Sequence, residues 1–268
     1  MLRAARGDIP LILWSLLRAM LGHRHGPTTN LPLTLLLEGL AVTLTLFLYR
    51  SATLAMGGGE GYFSFIVAGE CSIALPLVCL RAPLEALQET RALGVLEVLA
   101  SAPSPLARAA VTLSFAQIAR EALRVILMLV GAFVLGGIER DFAAVPWLAA
   151  QAAAIPLFLS LGCACAALHL ATGRGGAIPY WLCTAAVVGA GVYFPTSQLP
   201  AALKEGLDLL SPFNLHVELS RKALSHDGFS GGLALRWLTL TVLALGLGPF
   251  LLEQARRRAE NRGAWGAT

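Results

Sequence analysis

The chain has 268 residues, of which 56% are hydrophobic and only 13% are charged, and its formal net charge at pH 7 is +4. An ordinary soluble domain has about a quarter charged residues, so this composition, with a mean hydropathy of +0.70, indicates an integral membrane protein. The length allows about six spans of roughly 20 residues and leaves no room for a large soluble domain. The modest charge and the lack of a basic, aromatic-rich surface argue against nucleic acid as a partner.

The first 32 residues are expected to lie at the cytoplasmic surface. Residues 9–21 follow Asp8 as a possible N-cap, with Pro10 in the first turn, and they lead into the basic cluster at residues 23–25. This run is short for a span and no small-residue cleavage pattern follows it, so an interfacial helix is favoured over a signal peptide. A plain first span is the alternative interpretation.

A core of six spans is predicted within residues 33–252. The first two spans are expected at residues 33–56 and 62–80, joined by a glycine-rich turn. Glu38 and Glu70 lie inside them, and an ionised carboxylate within a membrane is costly unless it faces water or a partner. Glu70 is the stronger candidate for a pathway or gate residue, because Glu38 is near enough to the inner end to reach the surface. A structural, hydrogen-bonded role for Glu70 is at least as compatible with the sequence.

Residues 89–103 form a short amphipathic segment between the second and third spans, here called the coupling segment. At helical spacing, Leu93 and Leu96 fall on one face with Leu99 beside them, whereas Glu89 and Glu97 supply charge around the remainder. Ser104 followed by Pro105 is typical of an N-cap and a first-turn proline, so a new helix is expected to begin there. A surface helix of this kind is suited to a groove on another protein.

The third predicted helix, at residues 105–137, is about 50 Å long and exceeds a hydrocarbon core near 30 Å. It carries a polar belt at residues 117–124, within which Glu121 and Arg124 have the spacing of an intrahelical pair. The belt marks either the cytoplasmic boundary, which we favour, or a water-filled vestibule.

The fourth and fifth spans are predicted at residues 144–171 and 177–194, and the last at residues 233–252. The intervening residues 195–232 are too polar to span, and prolines at positions 195, 200 and 212 divide them into two short amphipathic helices, with Ser211 as an N-cap. An ordinary surface hairpin is the alternative. Residues 253–268 form a basic tail, and the placement of arginines predicts that both termini are cytoplasmic.

The coupling segment resembles that of type-2 ABC (ATP-binding cassette) transporter permeases, whose usual form is an acidic-arginine pair followed by Gly-Thr-Leu-Glu and a proline. Val95 departs from the usual threonine, which removes one hydroxyl from the segment. Residues 61–65, 194–200 and 211–214 resemble further parts of that family in the same order. The matching coupling positions are Glu89, Arg91, Gly94, Val95, Leu96, Glu97, Leu99 and Pro103.

The resemblance implies an all-α exporter membrane subunit in the bacterial cytoplasmic membrane, with the coupling positions contacting an ATPase subunit. Two ATPase copies and a second permease copy or homologue would complete the transporter. This chain would bind no cofactor, because ATP and Mg would sit on the ATPase subunits. The resemblance also implies that residues 195–232 form re-entrant helices that cap the pathway, with gate candidates Glu70, Phe194, Pro195, Pro200 and Pro212.

The sequence carries no sign of its own catalytic centre. Neither lysine follows a glycine, so no phosphate-binding loop ending Gly-Lys-Ser/Thr is present, and no HExxH motif occurs. Cys163 and Cys165 with nearby His169 would suit a metal, but cysteines in apolar runs are more often buried packing residues. Two other interpretations are kept, namely an integral-membrane enzyme and a non-transporting membrane anchor of an ATPase-driven assembly complex.

Overall fold

The computed structural model describes residues 31–55, 57, 60–94, 96, 106–135, 144–173, 175–196, 199–224 and 231–261. Within these ranges all regular structure is helical, which confirms the predicted all-α class. The predicted interfacial helix at residues 9–21 and the end of the basic tail lie outside the described residues. The α-helices are α1 (Leu31–Ala55), α2 (Glu60–Ala92), α3 (Leu106–Val134), α4 (Ala144–Thr172), α5 (Ile178–Gly189), α6 (Ala201–Leu210), α7 (Pro212–Leu224) and α8 (Gly231–Asn261).

Three of the described helices are long and apolar enough to cross a membrane, and they correspond to α2, α4 and α8. This is the behaviour expected of an integral membrane protein. Helices α1 and α3 coincide with the predicted first and third spans. Because α3 carries the polar belt, its composition alone does not mark it as a span, and the count of six stays a prediction.

Helix α2 continues well past the predicted end of the second span at residue 80. Its 33 residues run without interruption through Pro76 and Pro83. The helix ends where Gly94 adopts a left-handed conformation with φ of 69°, a backbone geometry that favours glycine and commonly terminates helices. Glu89 and Arg91 therefore belong to the last turns of α2, and the prediction that a separate helix begins at residue 89 is wrong.

Helix α5 is shorter than the predicted fifth span. It has 12 residues, or about 18 Å at 1.5 Å per residue, against the 18 residues of the predicted segment 177–194. The chain turns directly after it, since Gly191 has φ of 67°. A left-handed turn of this kind does not change the hydropathy of the sequence. The predicted span therefore ran past the end of α5 to residue 194.

Helix α4 lies at the centre of the fold and packs most extensively against α8 and α2. Its backbone approaches that of α2 closely at Gly162, where an added Cβ would lie 2.6 Å from the carbonyl oxygen of Cys79 and 2.8 Å from that of Leu80. Small residues allow this approach between membrane helices. Helix α7 packs against α4 and α2, which places the second short amphipathic helix inside the bundle.

Candidate functional site

Glu70 on α2 contacts the connection that follows α5. The hydroxyl of Tyr193 donates a hydrogen bond to Glu70 Oε2 at 3.2 Å, and the hydroxyl of Tyr62 donates to the Tyr193 carbonyl oxygen at 2.7 Å. The ring of Tyr49 on α1 meets the Tyr193 ring edge-on at 6.3 Å between centroids. We call Tyr49, Tyr62, Glu70 and Tyr193 the Glu70 cluster. The Glu70 carboxyl therefore has a polar partner within the fold.

Arg221 on α7 holds the same connection from the other side. Its Nη2 donates to the carbonyl oxygens of Gly191 at 2.9 Å and Val192 at 3.4 Å, and its guanidinium carbon lies 3.8 Å from the centroid of the Phe65 ring. An added Cβ at Gly69 would come within 2.8 Å of both Arg221 Nη2 and the Val192 carbonyl oxygen. Burial lowers the pKa of Arg221 to about 10, which leaves it charged at neutral pH. The turn is thus held between α2 and α7.

The predicted gate residues are only partly brought together. Phe194 and Pro195 directly follow Tyr193 and are half-buried. Pro200 and Pro212 stand at the starts of α6 and α7. Pro212 lines an apolar cavity of about 650 Å³, together with Leu80, Leu161, Cys165, Leu182, Leu207 and Phe213. Glu70 is not among the lining residues.

A buried polar network fixes α7 within the bundle. His216 is fully buried, and its Nε2 lies 3.0 Å from the Ser72 carbonyl oxygen and 3.3 Å from Ser220 Oγ. Because a carbonyl only accepts, Nε2 carries the proton, and burial lowers the pKa of His216 to about 4. Gln151 Nε2 donates to Ser220 Oγ at 3.1 Å. The network therefore joins α7 to α2 and α4 through a neutral histidine.

Sequence reasoning missed this network. His216 and Ser220 are four residues apart and so share one face of α7, which was the one available signal. Gln151 is a single polar residue in a long apolar run, and Ser72 lies two residues after Glu70, so neither indicates a partner on α7. The cap of α7 was predicted correctly, because the backbone N–H of Asn214 donates to Ser211 Oγ at 3.3 Å.

The coupling segment lies at the other end of α2, and its two described leucines differ in exposure. Leu93 is 62% exposed, whereas Leu96 is 5% exposed and packs with Leu84 and Leu106. The prediction that Leu93 and Leu96 share one face is wrong, because the turn at Gly94 separates them. Glu89 and Arg91 are half-buried and each makes further interactions. Val95, Glu97, Leu99 and Pro103 lie outside the described residues.

The polar belt of α3 is half-buried, and its predicted pair is present. Arg124 Nη1 lies 3.8 Å from Glu121 Oε1, three residues earlier on the helix. The five cysteines are buried and unpaired. In the ranges that the structure describes, no group of three or more His, Cys, Asp or Glu side chains is arranged to hold a metal ion.

The chain matches no family model, and no curated protein is significantly similar to it. Function must therefore be inferred from the helical fold, the Glu70 cluster and the coupling segment.

Proposed function

We propose that the chain is the membrane-spanning permease subunit of an ATP-driven ABC exporter, which moves an amphipathic, lipid-linked or drug-like substrate outward. Three long apolar helices support a membrane role. The coupling motif supports an ATPase partner, and the lack of a phosphate-binding loop in the sequence is compatible with hydrolysis on a separate subunit.

The length of α2 is the observation that carries the proposal. Its 33 residues extend about 50 Å, which exceeds a hydrocarbon core of about 30 Å by roughly 20 Å. Gly94 then turns the chain sharply at that end. A helix that extends past the bilayer and ends in the coupling segment can present that segment to a soluble ATPase.

The same helix offers a route from ATP to the transport path. Glu70 and Glu89 are 19 residues apart on α2, or about 28 Å along its axis. In the proposed mechanism, ATP and Mg bind two partner ATPase subunits, which close and displace the docked coupling segments. A rigid α2 would carry that displacement to the Glu70 cluster and loosen its hold on the turn at Tyr193. Helices α6 and α7 would then act as the re-entrant pair that caps the outward path.

The assembly that we propose contains two permease subunits, either copies of this chain or one copy and a homologue, in the bacterial cytoplasmic membrane. A count of six spans requires the bilayer to thin around α5, which is shorter than the hydrocarbon core, and it would place both termini on the cytoplasmic side. The arginines of the inner segments and of the tail support this orientation.

Glu97→Arg is expected to release the ATPase subunit. Removing one partner of a buried charged contact at an interface costs about 2–5 kcal/mol, and reversing the charge adds repulsion. Purification of the full chain from its native membranes in mild detergent, followed by measurement of copurified ATPase activity, tests this expectation. The variant should retain its membrane insertion and lose most of that activity.

Glu205→Arg on α6 is the matched control, because it makes the same charge reversal at an exposed position. Exposed charges typically contribute less than about 1 kcal/mol. Glu85 is less suitable, since it accepts a hydrogen bond from the Tyr180 hydroxyl at 3.2 Å. Equal ATPase recovery from Glu97→Arg and Glu205→Arg would remove Glu97 from the docking surface.

A further inference from the structure

The apolar cavity of about 650 Å³ lies where α6 joins α7. Its walls also come from α2, α4 and α5, and four of its lining residues have small side chains, namely Ala164 of α4, Ala185 and Ala186 of α5, and Gly206 of α6. Membrane helices usually bring small residues together so that their backbones can approach closely. Here the small residues of three helices border a common space, so they leave room between the helices instead of closing it.

The side chains that line the cavity suit hydrocarbon. Apart from the thiol of Cys165, Ser211 is the one lining residue whose side chain carries a polar atom. Ser211 Oγ already accepts the backbone N–H of Asn214 at 3.3 Å, as the cap of α7. Apolar cavities stay dry and bind apolar ligands, because water in a cavity needs polar partners. The volume lies within the roughly 300–1,000 Å³ of small-molecule sites, so the cavity can hold an apolar group of substantial size.

The mouth of the cavity is formed by α4 and α5. Leu168 of α4 and Leu182 of α5 line it and are each 43% exposed, whereas Cys165 and Phe213 line it at 8% and 7% exposure. Leu168 is four residues from the end of α4, or about 6 Å along the helix. Helix α4 is long and apolar enough to cross a membrane, and lipid tails are as apolar as leucine. In a bilayer, the cavity therefore opens toward hydrocarbon.

The inner wall of the cavity is packed firmly from behind. The Phe213 ring lies 4.5 Å from the ring of Phe158, which is fully buried and lies 6.1 Å from the ring of Trp237. Leu80, on the wall from α2, is 1% exposed and belongs to the same buried cluster. Side chains in a close-packed interior do not move easily into a neighbouring space. The cavity is thus a property of the folded bundle.

We propose that this cavity is a lipid site, in which one acyl chain of a bilayer phospholipid enters past Leu168 and Leu182 and lies against Cys165 and Phe213. The headgroup stays outside, because the one hydroxyl of the lining is already bonded within the fold. The acyl chain also contacts Pro212, so the lipid supports the junction of α6 and α7 from within the bundle. The site requires only a bilayer around the chain and is independent of an ATPase partner.

Photolabelling from an acyl chain tests the site with two native cysteines of α4. The full chain is reconstituted in phosphatidylcholine vesicles that contain phosphatidylcholine with a diazirine in the middle of one acyl chain. After irradiation, the adducts are located by mass spectrometry of peptides. Cys165 lines the cavity, whereas Cys163 is fully buried in a different cluster. We expect roughly tenfold or more adduct at Cys165 than at Cys163, because a carbene reacts with the groups that it contacts.

Filling the cavity should expel the acyl chain. Gly206→Phe adds a ring at a lining residue, and among the described residues nothing but its chain neighbours and the nearby backbone of its own helix lies within 4 Å of the added Cβ. Gly246→Phe is the matched control, since it makes the same change at an exposed glycine of α8 with equally open surroundings. The adduct at Cys165 should fall about tenfold in Gly206→Phe, which removes the contact, and stay unchanged in Gly246→Phe. Ala164→Phe, on the wall from α4, is the second filling variant.

A parent chain that is labelled at the exposed Leu238 but not at Cys165 would overturn the proposal, because the cavity would then be closed to lipid or filled by protein. Equal adducts at Cys165 and Cys163 would also overturn it. So would an adduct at Cys165 that persists in both Gly206→Phe and Ala164→Phe. Should neither filled variant fold, the comparison of the two cysteines in the parent chain decides. Failure to find an ATPase partner would affect the proposed function and leave this result unchanged.

Discussion

Gly248→Ala is expected to prevent correct packing of α8 against α4. A Cβ at residue 248 would collide with the backbone carbonyl of Ser160, whose hydroxyl donates to the Ala244 carbonyl oxygen on α8. Neither a backbone carbonyl nor a helix axis moves easily, and overpacking of a core costs about 1–3 kcal/mol or more. We therefore expect a loss of more than about 2 kcal/mol, measured as the free energy of unfolding in lipid or detergent.

The matched control is Gly246→Ala, two residues earlier on the same helix. Among the described residues, nothing other than its chain neighbours and the nearby backbone of its own helix lies within 4 Å of the Cβ that this change adds. Alanine is a better helix former than glycine by up to about 1 kcal/mol, so the control should be neutral or slightly stabilising. Similar stability of the two variants would mean that α8 and α4 do not approach as closely as described.

Arg221→Met is expected to free the turn that joins α5 to the polar segment. The change removes two hydrogen bonds to carbonyl oxygens and the contact with Phe65. Hydrogen bonds to a charged group contribute about 1.5–3 kcal/mol, and a desolvated cation–π contact contributes about 2. The labelling rate of Phe194→Cys by a thiol reagent should rise more than tenfold as the turn opens.

Lys222→Met provides the comparison on the next residue of α7. Lys222 pairs with Glu218 at 2.9 Å in a more exposed setting, where an ion pair contributes under about 1 kcal/mol. Its effect on the labelling of Phe194→Cys should be small. A labelling rate that is the same in Arg221→Met and in the parent chain would show that other contacts hold the turn.

Hydropathy and proline placement were sufficient for much of the helical fold. Long apolar runs predicted both ends of α1 and α4, and the start of α8, to within a few residues. The end of α8 differs, because the helix continues to Asn261 beyond the predicted end at residue 252. Prolines at 200 and 212 separated α6 from α7, because proline favours the first turn of a helix. Ser211 was identified as a cap for the same local reason, and all of these signals act within a few residues along the chain.

The features that sequence reasoning missed depend on contacts between distant residues. Tyr193 and Glu70 are 123 residues apart, and His216 and Ser72 are 144 apart, so neither contact leaves a local pattern. The sequence underestimates the length of α2, because Glu89 and Arg91 are typical of a new surface element and yet continue the same helix to Ala92. The burial of Leu96 in one cluster with Leu84 and Leu106 likewise has no periodic signal, since the turn at Gly94 breaks the helical spacing.

Photo-cross-linking from Leu93 tests docking at the coupling segment most directly. Leu93 is 62% exposed beside the turn at Gly94, and Leu238 on α8 is similarly exposed at 59% within an apolar span. The full chain carries a photoreactive amino acid at one of these positions and is irradiated in its native membrane. The cross-linked products are then probed with a labelled photoreactive ATP analogue. We predict that the chain with the photoreactive amino acid at position 93 forms a one-to-one adduct with an ATP-binding subunit. The chain with the same amino acid at position 238 should form no such adduct. An ATPase that copurifies with the chain and yet forms no adduct from position 93 would contradict docking at this segment.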